Sequence, residues 1–195
     1  LPPVVAFTTI ALGGFRGIAA DLLWLRAAVL QDEGRYFELV QLAEWITTLE
    51  PQFTDVWALQ AWNMAYNISV MLPGERDRWR WVLNGIHLLR DRGLRYTPTD
   101  PDLYHELGML FLHKIGTDTD PSSAYYKRQW AKQMMDLLGE SGFPDFDALK
   151  NNSEAADKLK AKGLNLQRMQ EIDEQYGPLD WRVAETHALY RAYLG

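Results

Sequence analysis

A short pattern of large, small and apolar residues constrains the fold of this chain more than any other feature. The octet YHELGMLF begins at Tyr104 and holds Leu107, Gly108 and Phe111 at a spacing typical of a packed helix. Pro98 stands six residues before the octet, and proline cannot continue a helix interior, so a preceding helix is expected to end there. The pattern predicts a helix that packs against a second helix. Its aromatic residue is expected to fill the space between the two helices, and its glycine to let the neighbouring backbone approach.

The same order of proline, aromatic residue and small residue occurs again upstream. Trp57 stands six residues after Pro51, and Ala61 follows Trp57 by four positions. A fainter copy pairs Trp24 with Ala28. Positions 24 and 57 lie 33 apart, whereas positions 57 and 104 lie 47 apart, so the second unit is expected to contain longer helices. Recurrence of this kind is typical of stacked helical units.

The rest of the sequence predicts an all-α protein. Apolar residues recur at helical spacing in most segments, and no alternating run predicts a strand. Helices are predicted from after Gly17 to Gly34, over about 35–50, 54–71, 75–96 and 101–115, and around 126–137. Asp100 before Pro101 is a favoured helix start. The charged residues 148–176 predict one or two solvated helices, and a last helix carrying Trp181 is expected near the end.

The octet and the in-register prolines resemble the tetratricopeptide (TPR) repeat, in which two antiparallel helices stack on neighbouring pairs. This resemblance implies an all-α, TPR-like α-solenoid of antiparallel helix pairs with an irregular C-terminal extension. The residues that it assigns to the repeat are Trp24, Ala28, Pro51, Trp57, Ala61, Pro98, Tyr104, Leu107, Gly108 and Phe111.

Two further phrases resemble a narrower group, the bacterial membrane-tethered TPR-like proteins. These phrases are LGGFRGIAADLLW at 12–24 and YGPLDWR at 176–182. The resemblance implies a short N-terminal anchor followed by a helical-repeat domain without known catalysis. The chain is therefore expected to divide into a hydrophobic arm (1–18), a TPR-like helical repeat domain (19–138) and a helical extension with a final capping helix (139–195).

Composition excludes several classes of function. The formal net charge is −6 and no basic stripe occurs, which argues against nucleic-acid binding. Cysteine is absent, so disulfide frameworks, thiolate metal sites and cysteine nucleophiles are excluded. Hydrophobic residues make up 47% of the sequence, enough to form a packed core.

The TPR register predicts a groove that binds a partner. Trp62 lies on a different helical face from Trp57, and together with Ala65 it is expected to point into this groove. A lining of this composition favours an apolar or helical ligand. The predicted groove residues are Trp62, Tyr66, His105, Met109, Leu112 and His113.

No motif predicts catalysis, a cofactor or a metal. His105 and His113 lie eight positions apart and lack a third ligand, so a groove wall is favoured over a metal site. The sequence contains no HExxH, P-loop, G-x-S-x-G or dinucleotide-binding motif. One enzymatic alternative stays open, a paired-carboxylate site built from the acidic residues Asp32, Glu33, Glu38 and Glu44.

The N-terminal segment points to a membrane. Residues 4–15 form an uncharged run of 12 residues, shorter than the roughly 20 that span a bilayer. The run is interpreted either as the end of a longer membrane anchor or as an arm that packs on the protein or a partner. The expected function is a non-enzymatic, membrane-associated adaptor in a bacterial cell envelope. The alternatives are a structural subunit of a larger membrane complex and, for location, the cytoplasm.

Overall fold

The computed structural model describes residues 3–195, with side chains described from residue 15 onward. This part of the chain contains ten helices and no strand, which confirms the all-α prediction. The uninterrupted helices are α1 (Pro3–Asp32), α2 (Tyr36–Leu49), α6 (Ser123–Leu138), α7 (Phe146–Lys150), α8 (Ser153–Ala161), α9 (Leu166–Tyr176) and α10 (Ala184–Leu194).

The remaining three helices each contain a wider, π-helical segment. The helix α3 consists of Thr54–Trp62, the π-helical Asn63–Ile68 and Ser69–Met71. The helix α4 consists of Glu75–His87, the π-helical Leu88–Gly93 and Leu94–Tyr96, and α5 consists of Pro101–Met109 and the π-helical Leu110–Gly116. Such segments are rare and often occur at functional sites.

The helix boundaries predicted at the prolines are correct, but the boundary predicted near Gly17 is not. α5 begins at Pro101, and the Asp100 carboxylate accepts hydrogen bonds from the backbone N–H of Asp102 at 3.0 Å and of Leu103 at 3.3 Å. By contrast, α1 runs unbroken through Gly17, where the sequence predicted an interruption. Glycine weakens a helix, but unlike proline it keeps its N–H donor, so its neighbours can carry the helix through.

The expected N-terminal arm of residues 1–18 thus lies largely within α1, apart from its first two residues, which fall outside the described part of the chain. Over residues 3–195, no helix combines the length and the apolar character needed to cross a bilayer.

Consecutive helices contact one another from α1 to α5, and α10 returns from the far end of the sequence to pack along α5. The buried side chains form two apolar clusters. The smaller cluster joins α1 and α2 to the start of α3, and the larger cluster joins α3–α6 to the C-terminal helices. The largest fully buried side chains are Trp57, Trp130 and Trp181.

Two aromatic side chains each donate a hydrogen bond to the backbone of the proline that lies six residues before them. Trp57 is 0% exposed, and its Nε1 donates to the carbonyl oxygen of Pro51 at 2.8 Å. The Tyr104 hydroxyl donates to the carbonyl oxygen of Pro98 at 3.0 Å, across the same interval of six residues. Gly93 lies against the Trp57 ring, since a Cβ at Gly93 would be 3.6 Å from Trp57 Cγ. The segments that follow Pro51 and Pro98 therefore contain the same local hydrogen bond, from an aromatic side chain to the proline carbonyl oxygen.

The third aromatic/small pair behaves differently. Trp24 is half-buried, and its ring centroid lies 5.2 Å from that of Phe53. Ala28 is exposed, whereas the side chains of Ala20 and Ala27 are buried between α1 and its neighbours. The close contact predicted for Ala28 is thus made by Ala27 instead.

α3 and α4 make their closest contact at Ala61 and Gly85. A Cβ at Gly85 would lie 2.8 Å from the carbonyl oxygen of Ala61, which is shorter than any real contact. The residue that must be small at this contact is therefore Gly85, which lies against the backbone of Ala61.

This contact leads to a stability test. Gly85→Ala is expected to lower the free energy of unfolding by about 1–3 kcal/mol, because the added methyl group pushes α3 and α4 apart. The matched control is Gly17→Ala in α1, where no described atom lies within 4 Å of the new Cβ. The control is expected to raise stability by about 0.5–1 kcal/mol. Equal effects of the two changes in urea denaturation would contradict the close approach.

The C-terminal part of the chain is less solvated than the sequence suggested. α8 and α9 each bury one face, and Leu159, Met169 and Ile172 belong to the larger apolar cluster. Trp181 precedes α10 rather than lying within it, and its Nε1 donates to Asp173 Oδ1 at 3.0 Å. Most other positions of 148–176 are exposed or half-buried, so the predicted solvated helices are present, and a few apolar residues of each helix contact the core.

Candidate partner-binding groove

An exposed aromatic pair lies where α3 widens into its π-helical segment. Trp62 is 46% exposed, and its ring stacks on that of Tyr66 with centroids 4.6 Å apart. The Tyr66 hydroxyl is hydrogen-bonded to Nδ1 of His113, on α5, at 3.1 Å. The sequence predicted these three residues as groove residues, and the fold brings them together from two helices. The contacts hold the aromatic surface in place before any partner arrives.

A buried positive charge lies beneath this pair. Lys114 Nζ is 5.1 Å from the centroid of the Tyr66 ring, and it donates a hydrogen bond to the Asp120 carboxylate. Burial, together with the nearby Glu106 carboxylate, raises the pKa of Tyr66 to about 12. The Tyr66 hydroxyl therefore keeps its proton at neutral pH, so it presents a neutral phenol to the groove.

The other three predicted groove residues line a cavity of about 670 Å³ between α5 and α10. His105, Met109 and Leu112 form part of the α5 wall. The opposite wall comes from α10, chiefly Ala188, Leu189 and Ala192. Gly108 and Ala188 lie close to each other where the helices meet, since a Cβ at Gly108 would be 3.5 Å from the Ala188 carbonyl oxygen.

The aromatic pair and the cavity adjoin along α5. Met109 lines the cavity, and His113, which holds Tyr66, follows four residues later on a neighbouring turn. Residues four apart on a helix lie on the same side. The predicted groove thus consists of two connected parts, which we call the aromatic ledge (Trp62, Tyr66, His113) and the α5–α10 cavity.

Sequence reasoning missed two features of this site. The α10 wall could not be found, because nothing in the sequence pairs α10 with a helix about 80 residues earlier. Ala65 was assigned to the groove, but it is buried, and a Cβ at Gly85 would lie 3.6 Å from Ala65 Cβ. Ala65 therefore faces α4.

One histidine outside the site is fully buried. The Nε2 of His187 lies 2.8 Å from the carbonyl oxygen of Trp181, and its ring packs against Phe111 and Trp130. Burial lowers the pKa of His187 to about 3, so the ring is neutral at physiological pH. It contributes to the core as a polar member of an aromatic cluster.

Three of the acidic residues considered for a paired-carboxylate site form ordinary ion pairs outside the groove. Arg35 contacts the carboxylates of Glu33 and Glu38, and Arg92 lies 3.4 Å from Glu44, all on exposed side chains. Among the described side chains, no three His, Asp or Glu residues converge in a way that would hold a metal ion. The groove itself offers aromatic rings, aliphatic surface and imidazoles, a lining suited to apolar contact with a few directed hydrogen bonds.

Comparison with known proteins adds no relative: no protein-family model, no curated protein and no solved structure matches this chain.

Proposed function

We propose that the protein is a non-enzymatic scaffold that binds another protein through the aromatic ledge and the adjoining α5–α10 cavity. The observation that carries this proposal is the exposed Trp62 ring, stacked on Tyr66 and fixed by the hydrogen bond to His113. Tryptophan and tyrosine are the residues that most often dominate the free energy of protein–protein binding. A preformed aromatic surface also loses little conformational entropy when a partner binds.

The architecture that we propose around this surface is a TPR-like stack of helix pairs. Its support is the repeated contact between an aromatic side chain and the proline carbonyl six residues earlier, at Trp57 and at Tyr104. The close approach of Gly85 to Ala61 gives further support, because it joins two consecutive helices as such a stack requires. Stacks of this kind display extended surfaces for partners.

The partner that suits this groove is an apolar helical segment. The cavity walls are mainly apolar, and Met109, Leu112 and Leu189 offer aliphatic side chains to an incoming helix. Helix-in-groove binding places apolar residues at intervals of three and four into such a cleft. Since the chain carries a formal net charge of −6, a nucleic-acid partner is disfavoured.

We further propose that the scaffold works at a membrane. The uncharged run at 4–15 supports this location. The second candidate function is a structural subunit of a larger membrane complex, and the same uncharged run favours it. The two candidates differ in whether the purified chain is a well-behaved soluble species, which size-exclusion chromatography measures.

The binding function is tested by affinity capture from detergent-solubilised native membranes. Trp62→Ala combined with Tyr66→Ala is expected to reduce recovery of the specific co-purifying chain at least tenfold. The matched control combines Trp45→Ala with Tyr176→Ala, which removes the same residue types from exposed positions outside the groove. Circular dichroism verifies that both double variants stay folded. Equal recovery with the groove variant and the wild type, or equal loss with both variants, would refute the assignment.

A further inference from the structure

The helix α1 exposes a regular apolar stripe. Five of its large apolar side chains are between 43% and 70% exposed, although exposed positions on a helix are usually polar. These five side chains are Phe15, Ile18, Leu22, Leu25 and Val29. Their successive intervals are three, four, three and four residues, which is the heptad spacing of a helix that packs against another helix.

The opposite side of α1 is the side that packs within the chain. When the stripe occupies heptad positions a and d, Ala20 and Ala27 occupy position f, directly behind it. Both alanines are buried in the cluster that joins α1 to α2. The contacts of α1 with the rest of the chain therefore use the back of the helix and leave the apolar stripe free.

We infer that the protein forms a parallel homodimer through the α1 stripe of two copies. The charges beside the stripe support this arrangement. Asp21 lies at position g and Arg26 at position e, and both side chains are exposed. In a parallel two-stranded coiled coil, position g faces position e of the partner five residues further along. Asp21 of each copy therefore faces Arg26 of the other.

The same charges disfavour other arrangements. In an antiparallel pair, position e faces e and position g faces g, so the contact between Asp21 and Arg26 across the seam cannot form. A bilayer would bury Asp21 beside the stripe without a counter-charge, which is costly. Among the described ion pairs, neither Asp21 nor Arg26 takes part, although Arg26 is one of the cations, after Arg35, that lower the pKa of the Glu38 carboxyl.

The length of α1 is sufficient for this contact. Its 30 residues extend over about 45 Å, or more than four heptads. In the sequence, the heptad continues upstream through the uncharged positions Val4, Thr8 and Ala11. The exposed apolar stripe itself covers two heptads, residues 15–29.

The first test measures the association state of the full chain by sedimentation equilibrium without detergent. The wild type is expected to show a concentration-dependent dimer. Leu22→Gln combined with Leu25→Gln is expected to raise the dimer dissociation constant at least tenfold. The matched control is Val70→Gln with Met71→Gln, two exposed apolar residues on α3, which should leave the dimer unchanged. A wild type that stays monomeric at every concentration, or a dimer insensitive to the α1 variant, would overturn the inference.

Charge reversal tests the parallel register. Asp21→Arg alone and Arg26→Asp alone are each expected to weaken the homodimer several-fold, because each sets like charges face to face. The double variant, and an equimolar mixture of the two single variants, should both regain wild-type affinity. Failure of this rescue would overturn the proposed register.

A vesicle assay tests the alternative occupant of the stripe. Full-length chain is mixed with neutral phosphatidylcholine vesicles, and binding is measured by co-flotation. If the Leu22 and Leu25 changes abolish vesicle binding while no dimer forms at any concentration, the stripe contacts lipid and the inference is wrong. The groove variant at Trp62 and Tyr66 should dimerise normally, so the two proposals can fail separately.

Discussion

Trp57→Ala is expected to lower the free energy of unfolding by about 3–5 kcal/mol. The Trp57 side chain is fully buried where α3, α4 and α5 meet, and Gly93 is fitted against its ring. Its removal deletes a large apolar volume, a hydrogen bond to the Pro51 carbonyl and the contact with the Arg92 guanidinium, which lies 5.3 Å from the ring centroid. The surrounding helices cannot close such a cavity without losing their own contacts.

The control for this experiment lies in the same helix. Trp62→Ala makes the same chemical change five positions away, at a side chain that is half-exposed. Its expected cost is about 1 kcal/mol, mainly the lost stacking on Tyr66. Both values follow from urea denaturation monitored by circular dichroism. If the Trp57→Ala variant is as stable as Trp62→Ala, Trp57 does not stabilise the packing of α3, α4 and α5.

Lys114→Met is expected to destabilise the fold by about 3–5 kcal/mol, because it leaves the Asp120 carboxylate buried without its main partner. The Lys114 and Asp120 side chains are each 3% exposed. Asp120 also accepts from the Ser122 backbone N–H at 2.8 Å and lies 3.7 Å from the Arg78 guanidinium. Although burial alone would raise it, the Lys114 ammonium and these neighbours hold the pKa of Asp120 below its usual value.

A second lysine–aspartate pair, whose aspartate lies on the same loop as Asp120, provides the control. Lys127 contacts Asp118 at 2.8 Å, but these side chains are 39% and 83% exposed. Lys127→Met is therefore expected to cost no more than about 1 kcal/mol. Adding Asp120→Leu to Lys114→Met should recover much of the lost stability, since an apolar pair needs no counter-charge. Equal effects of the two lysine changes would contradict a structural role for the buried pair.

The helices and their main internal contact could be predicted from the sequence. Proline ends a helix for local steric reasons, so Pro51 and Pro98 mark boundaries that depend little on tertiary structure. The buried Trp57, six residues after Pro51, and Tyr104, six residues after Pro98, follow one local pattern. Their positions relative to the prolines decide which face of the helix each one occupies.

The α1 contact shows where such reasoning fails. The sequence favoured Ala28 as the small residue that contacts α2, but Ala27 is the buried one. Large apolar residues occur on every side of α1, so the sequence does not show which side packs against α2. Residues one position apart lie on different sides of a helix, so an error of one position assigns the contact to the wrong side. Only the tertiary contacts choose between them.

The candidate site was predicted in part. Trp62, Tyr66 and His113 were singled out as groove residues, and the fold places them in direct contact. The α5–α10 cavity depends on a long-range contact between helices far apart in sequence, and its second wall left no periodic signal. Sequence patterns indicate local structure, so they cannot show that two segments far apart in sequence form one site.

Oxidative footprinting of the chain bound to its captured partner tests the central claim most directly. Hydroxyl radicals modify exposed Trp, Tyr, Met and His side chains, and Trp62, Tyr66, Met109 and His113 all belong to these types. Oxidation of Trp62 and Met109 is expected to fall in the complex relative to the free chain, with no change at the exposed Trp45 and Tyr176. Protection of Trp45 or Tyr176, with Trp62 and Met109 still fully reactive, would contradict the proposed groove.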